Sequence, residues 1–136
     1  MNRHWVWVVV GLYMATVSAC GTSTEPSTAE QIEGTWNWID ASGGIAGTTQ
    51  TPETAGYTQQ MRFVGSGTLE LYRDGALHAS TGYGIVPATT MESEMVTYDQ
   101  SILGFEMQAV SFDGPDVLFL ADGCCDGFSY RFERAP

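Results

Sequence analysis

The stretch Gly56-Tyr57-Thr58-Gln59-Gln60-Met61-Arg62-Phe63-Val64, followed by Gly67-Thr68-Leu69-Glu70-Leu71-Tyr72-Arg73-Asp74-Gly75-Ala76, decides the fold. Tyr57, Met61 and Phe63 fall on one side of the first run, and Thr58, Gln60 and Arg62 on the other. That two-residue rhythm belongs to a half-buried β-strand. The Asp74-Gly75 pair suits a two-residue hairpin, because both residues tolerate positive φ. Working outward, the rhythm recurs at Gly34–Asp40, Ala76–Val86, Glu94–Asp99, Phe105–Phe112, Asp116–Ala121 and Phe128–Glu133. In the last run Phe128, Tyr130 and Phe132 face one way, and Ser129, Arg131 and Glu133 the other.

With Gly56–Val64 and Gly67–Arg73, these make eight short strands separated by Gly, Asp, Pro and Ser. Asp113-Gly114-Pro115 is a further turn, with Pro115 ending the ladder. No stretch combines helical periodicity with caps, so very little helix is expected. A meander of eight strands leaves two exposed edges unless it closes. The expected fold is therefore all-β, a small eight-stranded antiparallel up-and-down barrel, with a two-sheet sandwich as the alternative. At eight strands the interior holds packed side chains or one small ligand.

The chain begins differently. Met1 to Gly21, MNRHWVWVVVGLYMATVSACG, has a positive start at Arg3, an apolar run from Trp5 to Val17 and the small-residue sequence Val17-Ser18-Ala19-Cys20. This resembles the signal peptide and lipobox of bacterial lipoproteins. The resemblance implies cleavage after Ala19 and acylation of Cys20. Acyl chains on Cys20, including palmitate, would then be the membrane attachment. Gly21 is not the aspartate that favours inner-membrane retention, so the expected location is the cell envelope, at the outer membrane rather than the inner. Residues 1–19 are thus expected as signal peptide. Residues 20–31, small and polar around Pro26, are expected as a lipidated cysteine and disordered tether reaching roughly 35–40 Å. Residues 32–136 are expected as one barrel domain.

Charge narrows the partners. The chain has sixteen acidic residues, no lysine and a formal net charge of −11. After Ala19 the cations are Arg62, Arg73, Arg131 and Arg134. Such a surface disfavours nucleic acid and offers no basic patch to anionic lipid. Without lysine there is no Schiff-base chemistry. His78 is the only histidine after the signal segment, so the usual zinc constellations are missing and no metal or cofactor is expected. Gly65-Ser66-Gly67 lacks the spacing of a nucleophile elbow. The chain reads as a binding protein, not an enzyme.

At the head of the barrel, Gly34-Thr35-Trp36-Asn37-Trp38 places Gly-x-Trp on a first strand, as in lipocalins. Together with Ser42-Gly43-Gly44-Ile45-Ala46-Gly47, Thr51-Pro52-Glu53 and Asp122-Gly123-Cys124-Cys125-Asp126-Gly127-Phe128, it is similar to small lipocalin-like lipoproteins of bacteria. That resemblance implies a plug at the closed end formed by Gly34 and Trp36, with Arg131 or Arg134 packed over the indole. The candidate ligand-facing residues are Trp36, Trp38, Tyr57, Met61, Phe63, Tyr83, Phe128 and Tyr130, with Leu69, Leu71, Phe119 and Phe132 as further lining. The loop Ala41–Ala55 is expected to cover the open end, with Ile45 folding back as a lid.

The adjacent Cys124 and Cys125 leave three outcomes open: a strained vicinal disulfide, two thiols, or pairing between molecules. The functional expectation is a lipid-anchored envelope protein that takes a small apolar ligand. The alternative is an interaction or inhibitor module with a packed barrel and no cavity, contacting an envelope protein through Ala41–Ala55 or Asp122–Gly127.

Overall fold

The computed structural model describes residues 25–86, 93–123 and 126–136. Ala19 and Cys20 at the lipobox, and the Cys124-Cys125 pair, lie outside the described residues. Nine strands follow one another: β1 (Gly34–Gly43), β2 (Thr48–Gln50), β3 (Gln59–Val64), β4 (Thr68–Arg73), β5 (Ala76–Val86), β6 (Met95–Ile102), β7 (Phe105–Phe112), β8 (Val117–Ala121) and β9 (Phe128–Arg134). Every neighbouring pair is antiparallel, and β1 also pairs β9, from Trp36↔Arg134 to Gly43↔Phe128. This second pairing of β1 closes an eight-stranded, lipocalin-like barrel of β1 and β3 to β9. β2 is an addition to the expected eight strands.

Alternation sets the interior. On β3 Gln59, Met61 and Phe63 are buried, and on β4 Leu69 and Leu71. β9 contributes Phe132, opposite Trp38 and Leu118. The Asp74-Gly75 hairpin forms as read, with both residues at positive φ. Phe119 departs from the expectation. It alternates with the fully buried Leu118 and Leu120 and is paired with Arg131, which puts it on the outer wall. The alternation on β8 admits two phases, and two leucines outweigh one phenylalanine.

Three further expectations change. The tether reading does not extend through residue 31, because Thr28–Ile32 forms a short helix, α1. Ser27 accepts from the Glu30 amide while the Glu30 carboxylate accepts from Ser27, a reciprocal cap that satisfies two otherwise orphaned donors. Ile32 then anchors the helix end in the core with no exposure. Ala41–Ala55 is not an unstructured loop either. β1 runs on to Gly43, β2 returns beside it, and Pro52–Ala55 forms a second turn of helix, α2, capped by Thr51 and ended by Gly56 at φ 77°. Ile45 is no lid: it sits at the tip of the β1–β2 hairpin, 91% exposed.

Two ends result. The closed end holds α1, the β3–β4 and β7–β8 turns and the carboxyl terminus. The open end holds the β1–β2 hairpin, α2 and the β4–β5, β6–β7 and β8–β9 connections.

Candidate functional site

At the closed end Trp36 is fully buried. Its Nε1–H donates to the Ile32 carbonyl at 2.7 Å, and Phe112 packs against the ring with centroids 6.1 Å apart. The guanidinium of Arg134 lies 4.1 Å above the indole. The same group donates to the carbonyls of Glu33 (2.8 Å), Gln31 (2.9 Å) and Pro115 (3.1 Å). Of the two arginines offered for this role, Arg134 takes it. Arg131 points to the outer wall and is paired with Asp40 at 2.6 Å. Gly34 belongs to the plug for a steric reason, since a Cβ there would stand 2.7 Å from Arg134 Nη1, and its φ is +122°. The polar groups converging here are partnered, so this end is a structural closure.

The candidate ligand residues divide. Trp36, Met61 and Phe63 are packed core. Tyr83 packs edge-on against Phe63 at 5.0 Å and donates its hydroxyl to the Val64 carbonyl, in the closed half of the barrel. These four face side chains, not a cavity. Phe128 and Tyr130 form a half-buried aromatic group with Phe105 at the open end. Beneath it, Tyr98 donates to Gln108 Oε1 at 2.9 Å, and the Asp122 carboxylate accepts from Gln108 and from the Phe128 amide. Burial pushes both Tyr98 and Tyr130 above the ordinary tyrosine value, and the Asp122 charge adds to it in each case.

Trp38 and Tyr57 lie elsewhere, at a seam in the wall. β1 pairs β3 only as far as Asn37↔Gln60, then pairs β2 from Ala41↔Gln50 onward. Between those ladders, where Ile39 forms a bulge against β9, a cleft of about 330 Å3 opens in the side of the barrel. That is the low end of the range for small-molecule sites. Asn37, Gln60 and Tyr72 of the outer wall line it, with Pro52 of α2; Trp38 and Gln59 reach it from the inner face. A second hollow of about 300 Å3, sharing Pro52, Thr58 and Asp74 with the cleft, is lined by Tyr57.

Behind the cleft three strands place a row of side chains on the inner face. Gln59 is the direct cross-strand partner of Arg73. Trp38, one step past the Asn37↔Gln60 pair, stands beside Gln59. Tyr57 caps the row, stacked on Trp38 with centroids 5.8 Å apart and lying 4.6 Å from the Arg73 guanidinium carbon. Trp38 Nε1, Gln59 Oε1 and Arg73 Nε are all buried, and none has a hydrogen-bond partner among the described residues. Each such orphan costs on the order of 1–3 kcal/mol. The three stand on adjacent strands, with Trp38 and Gln59 at 4% and 5% residue exposure, and each needs an explanation that the surrounding chain does not supply.

Sequence reasoning found Trp38 and Tyr57 but missed Gln59 and Arg73. Their signal was phase: both are polar, yet both fall on the apolar side of their strands.

Asp74, on the rim, is already engaged, accepting from the Thr58 amide at 2.9 Å and from its hydroxyl. His78 is exposed on β5. Among the described residues no three His, Cys, Asp or Glu side chains come together as a metal site would need. Comparison with known protein families, curated proteins and solved structures returned no match to this chain.

Proposed function

We propose that this is a lipid-anchored cell-envelope protein, related to the small lipocalin-like lipoproteins of bacteria, that binds a small ligand at the seam between β1 and β3. The observation that carries the reading is the convergence of three buried, unpartnered polar atoms behind a cleft lined by Trp38. Support for the anchor comes from the lipobox-like sequence ending at Cys20, and support for the fold kinship from the Gly34–Trp36–Arg134 closure. The ligand is mixed in character, not purely apolar, because the row offers donors and an acceptor beside the Tyr57 and Trp38 rings. Binding, and not catalysis, fits a cleft whose one carboxylate, Asp74, is already held by Thr58.

Native mass spectrometry of the full-length protein taken from its producing cells tests both parts. The expected spectrum shows an acylated Cys20 and a co-purifying small molecule that is lost in Trp38→Ala. A Cys20 without lipid overturns the anchor. A bound species indifferent to Trp38→Ala overturns the cleft.

A second reading has one specific observation behind it. The β1–β2 hairpin presents Ile45 to solvent at the end of the barrel, and such a projecting apolar tip is what an interaction module offers a partner protein.

A further inference from the structure

We infer that the row behind the seam recognises a small carboxylate that carries a hydrogen-bond donor on a neighbouring atom. This rests on the seam being a ligand site, and adds the class of ligand.

The argument starts from Arg73. Among the described residues, the other three arginines each have a carboxylate within ion-pair distance: Arg62 has Glu70, Arg131 has Asp40 and Arg134 has Asp116. Arg73 has none, in a chain with sixteen acidic residues to draw on. Its guanidinium rests on the Tyr57 ring instead, and its Nε–H is buried and unpaired. A buried guanidinium N–H without an acceptor is costly, and Nε together with an adjacent Nη is the edge that takes a carboxylate with two parallel bonds.

The rest of the row completes the pattern. Trp38 Nε1–H is a donor and nothing else, and it offers a third bond to the same anion. Gln59 stands between the two donors with an unpartnered Oε1, and an acceptor at that place selects an N–H or O–H close to the carboxylate. The side chain of Gln59 also lines the cleft. Arg73 itself lies behind the cleft, so on this proposal the ligand head displaces the Gln59 side chain to reach it, while the ligand body lies in the cleft against Pro52 and Trp38. The acidic surface repels anions at long range, so recognition depends on these local bonds and not on steering.

N-acetylphenylalanine and N-acetylphenylalaninamide share body and N–H and differ in charge, which makes them the probes. Each is titrated into full-length protein in a neutral detergent, and the indole Nε1–H of Trp38 and the guanidino Nε–H of Arg73 are followed by NMR. The carboxylate should shift both signals saturably, roughly tenfold more tightly than the amide, the scale of a charge-assisted contact. Arg73→Gln should abolish that preference, whereas Arg62→Gln, on the outer wall, should keep it. Equal affinity for the two probes in the unmodified protein overturns the carboxylate assignment and leaves the seam as a ligand site. Silence of both signals up to millimolar concentrations of either probe overturns the assignment and the seam together.

Discussion

The closed end of this barrel and the seam in its wall treat buried polar groups in opposite ways. At the closed end, the Trp36 indole N–H finds the Ile32 carbonyl and Arg134 satisfies three backbone oxygens while covering the ring. At the seam, a second tryptophan on the same face of the same strand, two residues on, keeps an N–H that bonds to nothing, beside an unpaired amide oxygen and an unpaired guanidinium N–H. Both places set a tryptophan beside an arginine. What differs is completion: one cluster is closed by the chain itself, and at the other three polar atoms stay unpaired, where the proposed ligand would bond. On that proposal, stability concentrates at the closed end and binding at the seam.

The strongest way to break that comparison is at Trp36. Trp36→Ala removes a fully buried indole, takes the donor from the Ile32 carbonyl and leaves Arg134 with no ring to cover, and should cost about 3–5 kcal/mol in denaturant unfolding. A loss much smaller than that would mean the closed end does not hold the barrel. Gly34→Ala comes next. It forces a side chain to a positive φ against Arg134, and an expected loss of about 1–3 kcal/mol is read from the same unfolding curves.

The seam should answer with the opposite sign. Gln59→Leu removes a buried unpaired acceptor, so it should leave stability unchanged or raise it by about 1 kcal/mol while weakening ligand uptake. If Gln59→Leu destabilises the protein as a core lesion would, the seam is part of the scaffold.

Tyr98 sharpens the contrast through pH. Burial and Asp122 raise its phenol above the unfolded value, so its contribution is complete below roughly pH 10 and is lost as pH rises through the higher folded value. Tyr98→Phe should flatten the alkaline fall in stability; an unchanged alkaline profile would remove the buried phenol as its cause. The smallest effect belongs to Ile45→Asp, which touches only solvent and should change stability by less than about 0.5 kcal/mol. Loss of a co-purifying protein on that substitution would favour the hairpin as a partner contact.

How much of this was legible in the sequence follows the same division. The barrel was readable because Met61 and Phe63, Leu69 and Leu71, and the β9 aromatics keep one phase through separate strands, and Asp74-Gly75 fixes a hairpin between two of them. The plug was readable from Gly34-x-Trp36, although choosing Arg134 over Arg131 depended on which face of β9 each occupies. The pattern Ser27-Thr28-Ala29-Glu30 carried the α1 cap, but so short a stretch shows no periodicity, and only the tertiary burial of Ile32 makes the turn worth forming. The seam was hidden most deeply. It exists because β1 changes partner from β3 to β2 around a bulge, and no residue type announces a change of partner. Gln59 and Arg73 then look like ordinary strand-end polar residues until the register sets them side by side.

The entry of the chain at the closed end has a consequence for orientation. α1 leads directly into the base of the barrel, and Ala135 is fastened to Thr35 at that same base, so the described chain enters and leaves the barrel at one pole. An attachment made through the amino-terminal segment therefore holds the molecule by its foot. If the proposed anchor is real, the β1–β2 hairpin and the mouth stand at the pole opposite the attachment.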